Sequence, residues 1–479
     1  MKNLTYILRY LVASVVFISC SKDFLEIDPV STANIEAVYK TDKDFQDAVI
    51  GIYNALADQY QNFWQFGDLR GDDSESQMYK GVATDFMNDF TLDNSAGILQ
   101  SGWANYYTMI NRANMVLERI ESADASVVTN KNRHIGEAKF LRAFAYFDLV
   151  RIFGNVPIVT HVITDEESYT LGRGKVDEIY NEIIIKDLLD AETLLPESYS
   201  GVNIGRVTKG AAKAILGRVY LTRHDFTSAE IKLTEVTTMG YALLSDFNKL
   251  FDYSNEHHSE YIFDAEYEEG MNLGSIFTNN FCPNVPFISN FFGVNGVRSD
   301  NQNPTDGLFA IFADEDLRKD ITVARGITDE NGNFIPLPSQ QVRSFTKKYM
   351  TPVAVTNDSK ANWKIIRYAD VLLMLAEAMN ENDKTDEALV YLNYVHERAG
   401  LESYAKLTKD ETREKIYTER RLELAFEGHR WFDLVRTGKA YETMQPYGMR
   451  PYMTIFPIPL AQIQVINNPE ILPQNPGYE

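Results

Sequence analysis

A polar stretch with closely spaced acidic residues, GDLRGDDSESQM at residues 67–78, holds the side chains best suited to chemistry in this sequence. Asp72, Asp73 and Glu75 could bind Ca²⁺, which takes carboxylate oxygens as ligands, although the register of an EF-hand loop is absent. Two carboxyls could also form a glycosidase pair, which needs a separation of about 5–5.5 Å for a retaining mechanism. Sequence neighbours do not establish that distance. A ligand-binding loop and a simple solvated loop are the remaining interpretations.

We favour the ligand-binding loop because aromatic and polar side chains surround these acids. Sugars offer hydroxyl groups to Asp, Asn and Arg side chains, and apolar C–H faces to aromatic rings. The candidate contacts in and beside this stretch are Trp64, Phe66, Arg70, Asp72, Asp73, Tyr79 and Phe86. Both ingredients of a sugar site therefore occur within one short segment.

A second candidate loop, SIFTNNFCPNVPFISNFFGVNGVRS at residues 275–299, mixes phenylalanines with amides, glycines and prolines. The phenylalanines cannot all alternate onto one strand face, and such a segment suits a recognition loop. The candidate contacts here are Phe277, Asn279, Phe287, Phe291 and Arg298. An equally good interpretation is that the phenylalanines attach a long loop to the helices. Trp and Tyr are missing from this stretch, which argues against a plain glucan as the ligand.

A charged stretch near the C-terminus, ERRLELAFEGHRWFDLVR, invites a catalytic interpretation, but helical spacing accounts for it more simply. The predicted apolar stripe comprises Leu424, Gly428, Trp431 and Val435. Glu427 and Arg430, and likewise Asp433 and Arg436, have the i,i+3 spacing of ion pairs on one helix. We therefore interpret this stretch as a structural helix in which Gly428 permits close contact with a neighbouring helix.

Two further constellations also receive a structural interpretation. In IRYADVLLMLAEA, Arg367 and Asp370 have i,i+3 spacing, and Trp363 directly before this stretch favours packing over a sugar platform. His257 and His258 could ligate a metal, but adjacent residues do not share a helix face and no further His or Cys lies near them. An exposed loop is the simpler interpretation.

Helices must position these candidate residues. Thr41 and Asp44 form a capping-box-like start, and apolar periodicity indicates further helices at about 102–121, 133–153, 176–195, 208–223, 363–380, 385–399 and 411–437. Residues 240–362 instead carry Gly, Asn and Pro clusters and β-like runs such as YIFDAEY at 261–267. The sequence therefore predicts a mostly α fold, with loops and short strands inserted into a helical scaffold.

Two helical hairpins follow the spacing of tetratricopeptide (TPR) repeats, in which small residues let paired helices approach. In the first hairpin the matching residues are Leu216, Gly217, Tyr220, Phe226 and Ala229, and in the second they are Leu375, Ala376, Ala388 and Leu392. Ala143 and Tyr146 give a weaker echo of the pattern. These units together predict a TPR-like helical layer.

The N-terminus has the features of a lipoprotein signal. Basic residues precede the short apolar run YLVASVVFI, which is too short to span a membrane but suits a secretory h-region. Ser19 and Cys20 resemble a lipobox, although Phe17 replaces the usual leucine. We therefore predict a signal peptide at residues 1–19, acylation of Cys20 and a tether at 20–40. The other cysteine, Cys282, then has no partner and is predicted to be a small buried residue.

The acidic balance of the chain limits its partners. The formal charge of −22 becomes more negative by two when the predicted signal, with Lys2 and Arg9, is removed. Nucleic-acid binders carry basic surfaces, so nucleic acid is not expected as a ligand. The same acidity weakly disfavours strongly anionic glycans.

Several blocks of the chain, taken together, resemble the SusD/RagB family of Bacteroidetes outer-membrane lipoproteins. They are DFLEIDP, EAKFLRAFAYFDLVRIFGNVP (137–157), NWKIIRYADVLLMLAEAMNE (362–381), ERRLELAFEGHRWFDLVRTGK (419–439), FPIPLAQIQVINN (456–468) and QNPGY (474–478). The resemblance implies one SusD-like unit over 41–479 that captures glycan, or in a minority peptide, at the cell surface. It implies delivery to a SusC-like TonB-dependent transporter, with no cofactor, no metal and no catalysis. A lipid-anchored glycoside hydrolase and a TPR-type protein- or peptide-binding lipoprotein are the alternatives.

Overall fold

The computed structural model describes residues 39–76, 83–271, 273–338 and 344–478. The predicted signal, Cys20, most of the predicted tether and Tyr79 lie outside these described residues, so their assignments stay predictions. Most of the described chain is helical, and the remainder is loops, short helices and short strand pairs. The predicted fold class is therefore confirmed, while the predicted limits of the unit remain a prediction.

The helices follow one another along the chain with short connections over most of its length. In chain order they are α1 (Asp42–Tyr60), α2 (Ala83–Asn88), α3 (Gly97–Glu121), α4 (Lys131–Phe153), α5 (Asp165–Ser168), α6 (Val176–Ile179), α7 (Ile185–Leu194), α8 (Lys209–Thr222), α9 (Phe226–Thr237), α10 (Phe277–Phe281), α11 (Pro286–Phe292), α12 (Asp306–Ile311), α13 (Lys319–Thr322), α14 (Tyr368–Glu381), α15 (Thr385–Arg398), α16 (Lys409–Glu423), α17 (Arg430–Arg436), α18 (Ala440–Met444) and α19 (Leu460–Ile466). A π-helical turn, Tyr180–Ile184, joins α6 to α7, and another, Gln65–Leu69, follows α1.

The strands are short and form separate antiparallel pairs. They are β1 (Ser74–Glu75), β2 (Val156–Pro157), β3 (Arg173–Gly174), β4 (Tyr261–Ala265), β5 (Asn303–Pro304), β6 (Gly326–Thr328), β7 (Phe334–Pro336) and β8 (Trp363–Arg367). β1 pairs with β5, β2 with β3, β4 with β8 and β6 with β7. The predicted strand at 261–267 is confirmed as β4, whereas β8 corrects the prediction of a helix beginning at 363.

The predicted helix start at Thr41 is confirmed. The hydroxyl of Thr41 accepts a hydrogen bond from the backbone N–H of Asp44, and the Asp44 carboxylate accepts from the backbone N–H of Thr41. This reciprocal arrangement satisfies two backbone donors at the helix N-terminus that have no helical partner. From there α1 presents one apolar face, including Phe45, Val49 and Ile52, to the core.

The TPR-like hairpins form as predicted, with α8 packed on α9 and α14 on α15. Gly217 lies where α8 meets α9, and a Cβ built at this position would lie 2.6 Å from side-chain atoms of Leu233. A larger residue would therefore push the two helices apart. Ala376 and Leu392 are completely buried in the second hairpin. The main hydrophobic core runs through this layer and reaches from Phe45 to Leu472.

The predicted helix over 411–437 is wrong, because the chain breaks between α16 and α17. Phe426 and Gly428 both adopt positive φ, 66° and 80° respectively, and the backbone N–H of Gly428 turns to the carboxylate of Asp68. Glu427 consequently pairs with Arg367 and Lys348 rather than with Arg430. The continuous apolar stripe through this stretch does not exist, since Leu424 and Gly428 lie between the two helices and only Trp431 and Val435 lie on α17.

A buried ion network replaces the helix-surface pairs predicted from spacing. Arg367 contacts Glu260, Glu423 and Glu427 instead of Asp370, and its side chain is buried. Asp370 in turn receives Arg218 and Arg420. Only the i,i+3 pair of Asp433 and Arg436 is confirmed, at 2.8 Å. The charged residues of both C-terminal blocks therefore join distant elements, as a structural interpretation requires.

Candidate functional site

The first candidate segment, which we call the acidic loop (residues 67–76), is attached to the interior of the protein by its carboxylates. Asp68 accepts hydrogen bonds from the backbone N–H of Gly428 at 2.9 Å and from the side-chain amide of Gln302 at 3.0 Å. Asp72 receives Nε of Arg430 at 2.7 Å and Nη2 of Arg421 at 2.8 Å. These contacts connect residues more than 200 positions apart in the sequence.

Asp72 and Asp73 share the same two guanidinium groups. Nε of Arg421 donates to Asp73 at 2.6 Å, while Arg430 lies 3.6 Å from the second oxygen of Asp73. Burial opposes ionisation of Asp72, but the hydrogen bond and charge of Arg430 hold its pKa below the usual range. The two acids therefore form a compensated cluster with two arginines, in which the Asp73 side chain is buried and the Asp72 side chain is 13% exposed, so a ligand-contact role for Asp72 stays a prediction.

Trp64 and Arg70 also lie inside the protein. The Trp64 ring makes an edge contact with Phe281 at 5.4 Å between centroids. The Arg70 guanidinium lies 4.2 Å from the Phe90 ring centroid and 4.4 Å from that of Phe456, and burial lowers its pKa to about 10. Because both side chains are buried, neither can touch a ligand at the surface, and their assignment as contacts is corrected.

The structure does bring the two predicted loops together. β1, within the acidic loop, pairs with β5, which follows the second loop closely in sequence. Thr305 reinforces this contact, since its backbone N–H and hydroxyl donate to the carbonyls of Asp73 and Asp72 at 3.0 and 2.9 Å. The acidic loop therefore holds in place β5 and Thr305, the residues that closely follow the second loop.

The second candidate segment is residues 275–299, and we call its C-terminal part together with Asp300, residues 284–300, the phenylalanine loop. Asn279, just before it, is buried and uses its whole amide: Nδ2 donates to the carbonyls of Asn295 and Val297 at 2.8 and 3.0 Å, and Oδ1 accepts from the backbone N–H of Asn357 at 2.9 Å. The prediction of Asn279 as a ligand contact is therefore corrected, because this residue positions the loop instead.

The four other predicted residues of this segment divide between the core and the surface. Phe277 is completely buried, with its ring 5.2 Å from Trp363, so its assignment is corrected to core packing. Phe287 is half-buried against the core. Arg298 donates to the carbonyl of Gly296 at 2.8 Å and to Asn284 at 3.3 Å, which holds the loop's turn. Phe291, in contrast, has 46% of its surface exposed.

Exposed apolar side chains from three neighbouring segments accompany Phe291. We call this surface the loop face and define it by Leu273, Phe291, Val297 and Val355, all of which are exposed. Hydrogen bonds between residues 293–295 and 353, and between 275 and 359, place the three segments side by side. The surface therefore combines an aromatic ring and aliphatic groups with exposed amides of the same loops.

A glycine shapes the loop face at its closest approach. Gly296 has φ of +84°, and a Cβ built at this position would lie 1.7 Å from the Thr356 hydroxyl. Only glycine fits both the conformation and the space, so this position fixes how the phenylalanine loop meets residues 353–357. Leu273 and Val355 were missed by sequence reasoning. For Val355 the available signal was the short apolar run VAV between the turn residues Thr351-Pro352 and Thr356-Asn357-Asp358.

One carboxyl of the phenylalanine loop differs from those of the acidic loop. Asp300 is completely buried, adopts φ of +53°, and neither of its side-chain oxygens has a hydrogen-bond partner within the described residues. Burial raises its pKa to about 7. The side chain thus keeps its proton in the folded loop over a range where a free Asp is ionised.

Metal and membrane features can be stated for the described part of the chain. No group of three or more His, Cys, Asp or Glu side chains there is arranged to hold a metal ion. His257 pairs with Glu266 in a partly exposed loop rather than with His258. No helix among residues 39–76, 83–271, 273–338 and 344–478 has the length and apolar character needed to cross a bilayer. Cys282 is buried, as predicted, and burial raises its thiol pKa to about 12.

The protein combines a scaffold of helical hairpins with a loop-built surface of apolar side chains and amides, which is the architecture of a binding protein. Comparison with known proteins identifies the family to which it belongs. A family model described as "Starch-binding associating with outer membrane" matches residues 23–221, and one described as "SusD family" matches residues 247–478. Together the two models cover both halves of the sequence. The chain belongs to the SusD/RagB family.

Relatives cover almost the whole chain. SusD-like protein P2 of Formosa agariphila is 27% identical over 526 residues, covering 99% of each chain. A solved structure named "Laminarin binding SusD-like protein" is 28% identical, covers 92% of this chain and 100% of its own, and superimposes with a TM-score of 0.78. A SusD homologue of Bacteroides thetaiotaomicron, at 23% identity and a TM-score of 0.80, shares the fold.

Proposed function

We propose that this protein is a cell-surface lipoprotein that binds glycan on its loop face and delivers it to a partner SusC-like TonB-dependent transporter. The observation that carries the proposal is the loop face itself, where Phe291 projects from a loop whose backbone is held by the buried amide of Asn279. Exposed aromatic rings bind the apolar faces of sugars, and nearby amides bind their hydroxyls.

A relative makes one glycan the first to test. The structure 28% identical to this chain is named for laminarin binding, which supports a glycan ligand for this chain as well. Laminarin oligosaccharides are therefore the first ligands to titrate, followed by other plant and host glycans and by peptides. Binding of peptides alone would contradict the glycan part of the proposal while leaving the family assignment intact.

The contacts of the acidic loop favour binding over hydrolysis. A glycosidase needs one carboxyl poised as an acid and another free to act as a base or nucleophile. Asp72 and Asp73 instead accept hydrogen bonds from Arg421 and Arg430, so these two side chains do not form a free carboxylate pair. A reducing-sugar assay on the purified protein, with release of new chain ends as the contradicting result, tests this point.

The loop face is tested by truncating its ring. Phe291→Ala should weaken glycan binding about tenfold in calorimetry while the thermal unfolding temperature stays unchanged. Phe334→Ala is the matched control, because Phe334 is 58% exposed on the β6–β7 hairpin and does not belong to the loop face. The assignment of the site would be contradicted if both variants lost affinity equally or if neither variant lost affinity.

Anchoring and delivery have separate tests. Cys20→Ser should release the protein from membranes into the soluble fraction without changing its unfolding curve, since acyl chains rather than a spanning helix would hold it. Purification of the lipidated protein from gently solubilised membranes should co-purify a TonB-dependent barrel. Absence of any such barrel would count against delivery, and membrane retention of the Cys20→Ser variant would count against the anchor.

A further inference from the structure

A large open groove lies apart from the loop face, at the other end of the first helices. It has a volume of about 640 Å³ and is lined by residues 125 and 128–133, from the α3–α4 connection and the first turn of α4, and by residues 194–196, 198–200 and 203, from the end of α7 and the segment after it. Binding sites for small ligands commonly occupy about 300–1,000 Å³, so the groove is large enough for an oligosaccharide segment. None of the loop-face residues lines it.

We call this surface the cationic groove, because its lining carries positive charge whereas the chain as a whole carries a net negative charge. The protein carries 68 acidic against 46 basic residues. The groove is nevertheless lined by Lys131 and Arg133 and by no Asp or Glu of the described chain. In a strongly acidic protein, a surface lined by cations and by no acid repels an anionic ligand less than an acidic surface does.

Acidic residues do lie near the lining: Glu197 is exposed on the lining segment but does not line the groove, and Glu137 and Asp42 are already engaged. Glu137 is completely buried and accepts a hydrogen bond from Arg206 at 2.8 Å. Asp42 accepts from the backbone N–H and the side-chain amide of Asn130, both at 2.8 Å, and lies 3.3 Å from His134. Neither carboxylate projects into the groove, so both leave its cationic lining intact.

Arg133 lines the groove with a guanidinium that is only partly engaged. Its side chain is 15% exposed and its Nε lies 3.4 Å from the Glu137 carboxylate, while Nε and Nη2 are buried and have no hydrogen-bond partner within the described residues. A buried guanidinium normally makes most of its five possible hydrogen bonds, and its planar edge fits carboxylate or sulfate groups well. Lys131 is held in place by the carbonyls of Glu121 and Ala123, so it contributes a fixed charge.

The remaining lining has the chemistry of sugar recognition. Tyr199 contributes a half-buried ring, and Ser198 and Ser200 contribute hydroxyls on the same segment. The side-chain oxygen of Asn203 is buried and has no hydrogen-bond partner among the described residues, which leaves an acceptor for a ligand hydroxyl. An aromatic ring, amides and hydroxyls beside two cations suit a sugar that carries negative charge.

We propose that the cationic groove binds an acidic oligosaccharide, one bearing carboxylate or sulfate groups, with Arg133 contacting the anionic group and Asn203 a hydroxyl. This site is separate from the loop face and would let one protein hold charged as well as neutral sugar units. It rests on the proposed function only in taking the ligand to be a carbohydrate.

Calorimetry on the full-length Cys20→Ser protein tests the groove with three probes: a uronic-acid oligosaccharide, a sulfated oligosaccharide and a neutral laminarin oligosaccharide. The groove should bind at least one acidic probe, with affinity that weakens as salt increases. Arg133→Gln should lower that affinity about tenfold or more, because hydrogen bonds to charged groups are worth more than neutral ones. Asn203→Ala, which removes an oxygen that has no partner in the described chain, should lower it severalfold.

The controls separate this inference from the proposed function. Arg325→Gln makes the same substitution at an exposed ion pair with Asp306 outside the groove and should leave binding unchanged. Phe291→Ala should affect only the neutral probe. No binding of either acidic probe, or binding that survives both Arg133→Gln and Asn203→Ala, would overturn the inference whatever the neutral probe does. Acidic binding that appears only after residues 20–38 are deleted would also overturn it, by assigning the groove to the chain's own acidic N-terminal segment.

Discussion

The sequence predicts that both the acidic loop and the phenylalanine loop bind ligand, but the structure gives them opposite roles. The acidic loop carries more charge, yet its carboxylates are consumed by Arg421, Arg430 and the backbone of Gly428. The phenylalanine loop is held by the amide of Asn279, by backbone hydrogen bonds to residue 353 and by Arg298, and it leaves Phe291 exposed. Buried carboxylates are costly unless they are paired and therefore bind partners within the chain, whereas an apolar ring at the surface needs no such partner and can contact a ligand.

The largest expected effect comes from breaking the acidic loop. Arg421→Met leaves Asp73 buried with less compensating charge, and removal of one partner from a buried ion pair typically costs about 3 kcal/mol or more. The free energy of unfolding in denaturant should fall by about that amount. Arg325→Gln is the comparison, since an exposed ion pair contributes about 0–1 kcal/mol. Similar losses in the two variants would show that the acidic loop is not a buried anchor.

A smaller effect is expected from the amide that holds the phenylalanine loop. Asn279→Ala removes three hydrogen bonds to the loop segments and should reduce the free energy of unfolding by about 2 kcal/mol. Hydrogen exchange should increase mainly at residues 293–298 and 357, because these lose their attachment. Exchange that rises evenly over the whole protein would instead indicate a general packing role for Asn279.

The exposed ring should affect binding and leave stability alone. Phe291→Ala should weaken glycan binding about tenfold, corresponding to about 1.4 kcal/mol, because truncating a central aromatic contact commonly costs more than 1 kcal/mol. Its unfolding free energy should stay within about 0.5 kcal/mol of the parent, as for most surface substitutions. A stability loss as large as that of Asn279→Ala would remove the contrast between the two loops.

The smallest expected effects concern pH, since the contributions of Asp72 and Asp300 to stability should change with pH in opposite directions. The pKa of Asp72 is lowered in the folded state, so the stability it contributes is present above its unfolded pKa of about 4 and is lost as pH falls further. The pKa of Asp300 is raised to about 7, so its favourable contribution is present at low pH and is lost as pH rises towards and through 7.

Two asparagine variants separate these responses. Asp72→Asn should differ from the parent in unfolding free energy at pH 7 and converge with it in strong acid. Asp300→Asn should match the parent near pH 4 and exceed it in loop protection above pH 7, measured by hydrogen exchange at residues 293–301. A parent protein whose phenylalanine loop is equally protected at pH 6 and pH 8 would contradict the role given to Asp300.

Local patterns in the sequence were sufficient for the scaffold. The capping box at Thr41, the small residues at Gly217 and Ala376 and the change of character after residue 240 each depend on neighbours a few positions away. These signals act through backbone hydrogen bonding and helix spacing, which are local. The helical layer, the strand at β4 and the family resemblance could therefore be predicted from the amino-acid sequence alone.

The break at Gly428 shows why part of the C-terminal region could not be predicted. The residues from 411 to 437 keep a helical pattern, and a glycine alone does not end a helix. The chain turns because the buried carboxylate of Asp68 binds the Gly428 N–H and because Arg367 and Lys348 hold Glu427. These partners lie between 60 and 360 residues away, and no local pattern records them.

The sequence by itself determined the helical scaffold and pointed to the SusD/RagB family, because these follow from local periodicity and from motifs, and it predicted the burial of Cys282. It also indicated two loops as candidates for binding. Only the tertiary structure decided that Arg421 and Arg430 occupy the carboxylates of one loop, whereas Phe291 of the other is exposed. Whether a polar or aromatic side chain is available to a ligand depends on which distant groups reach it first, and that is a property of the folded chain.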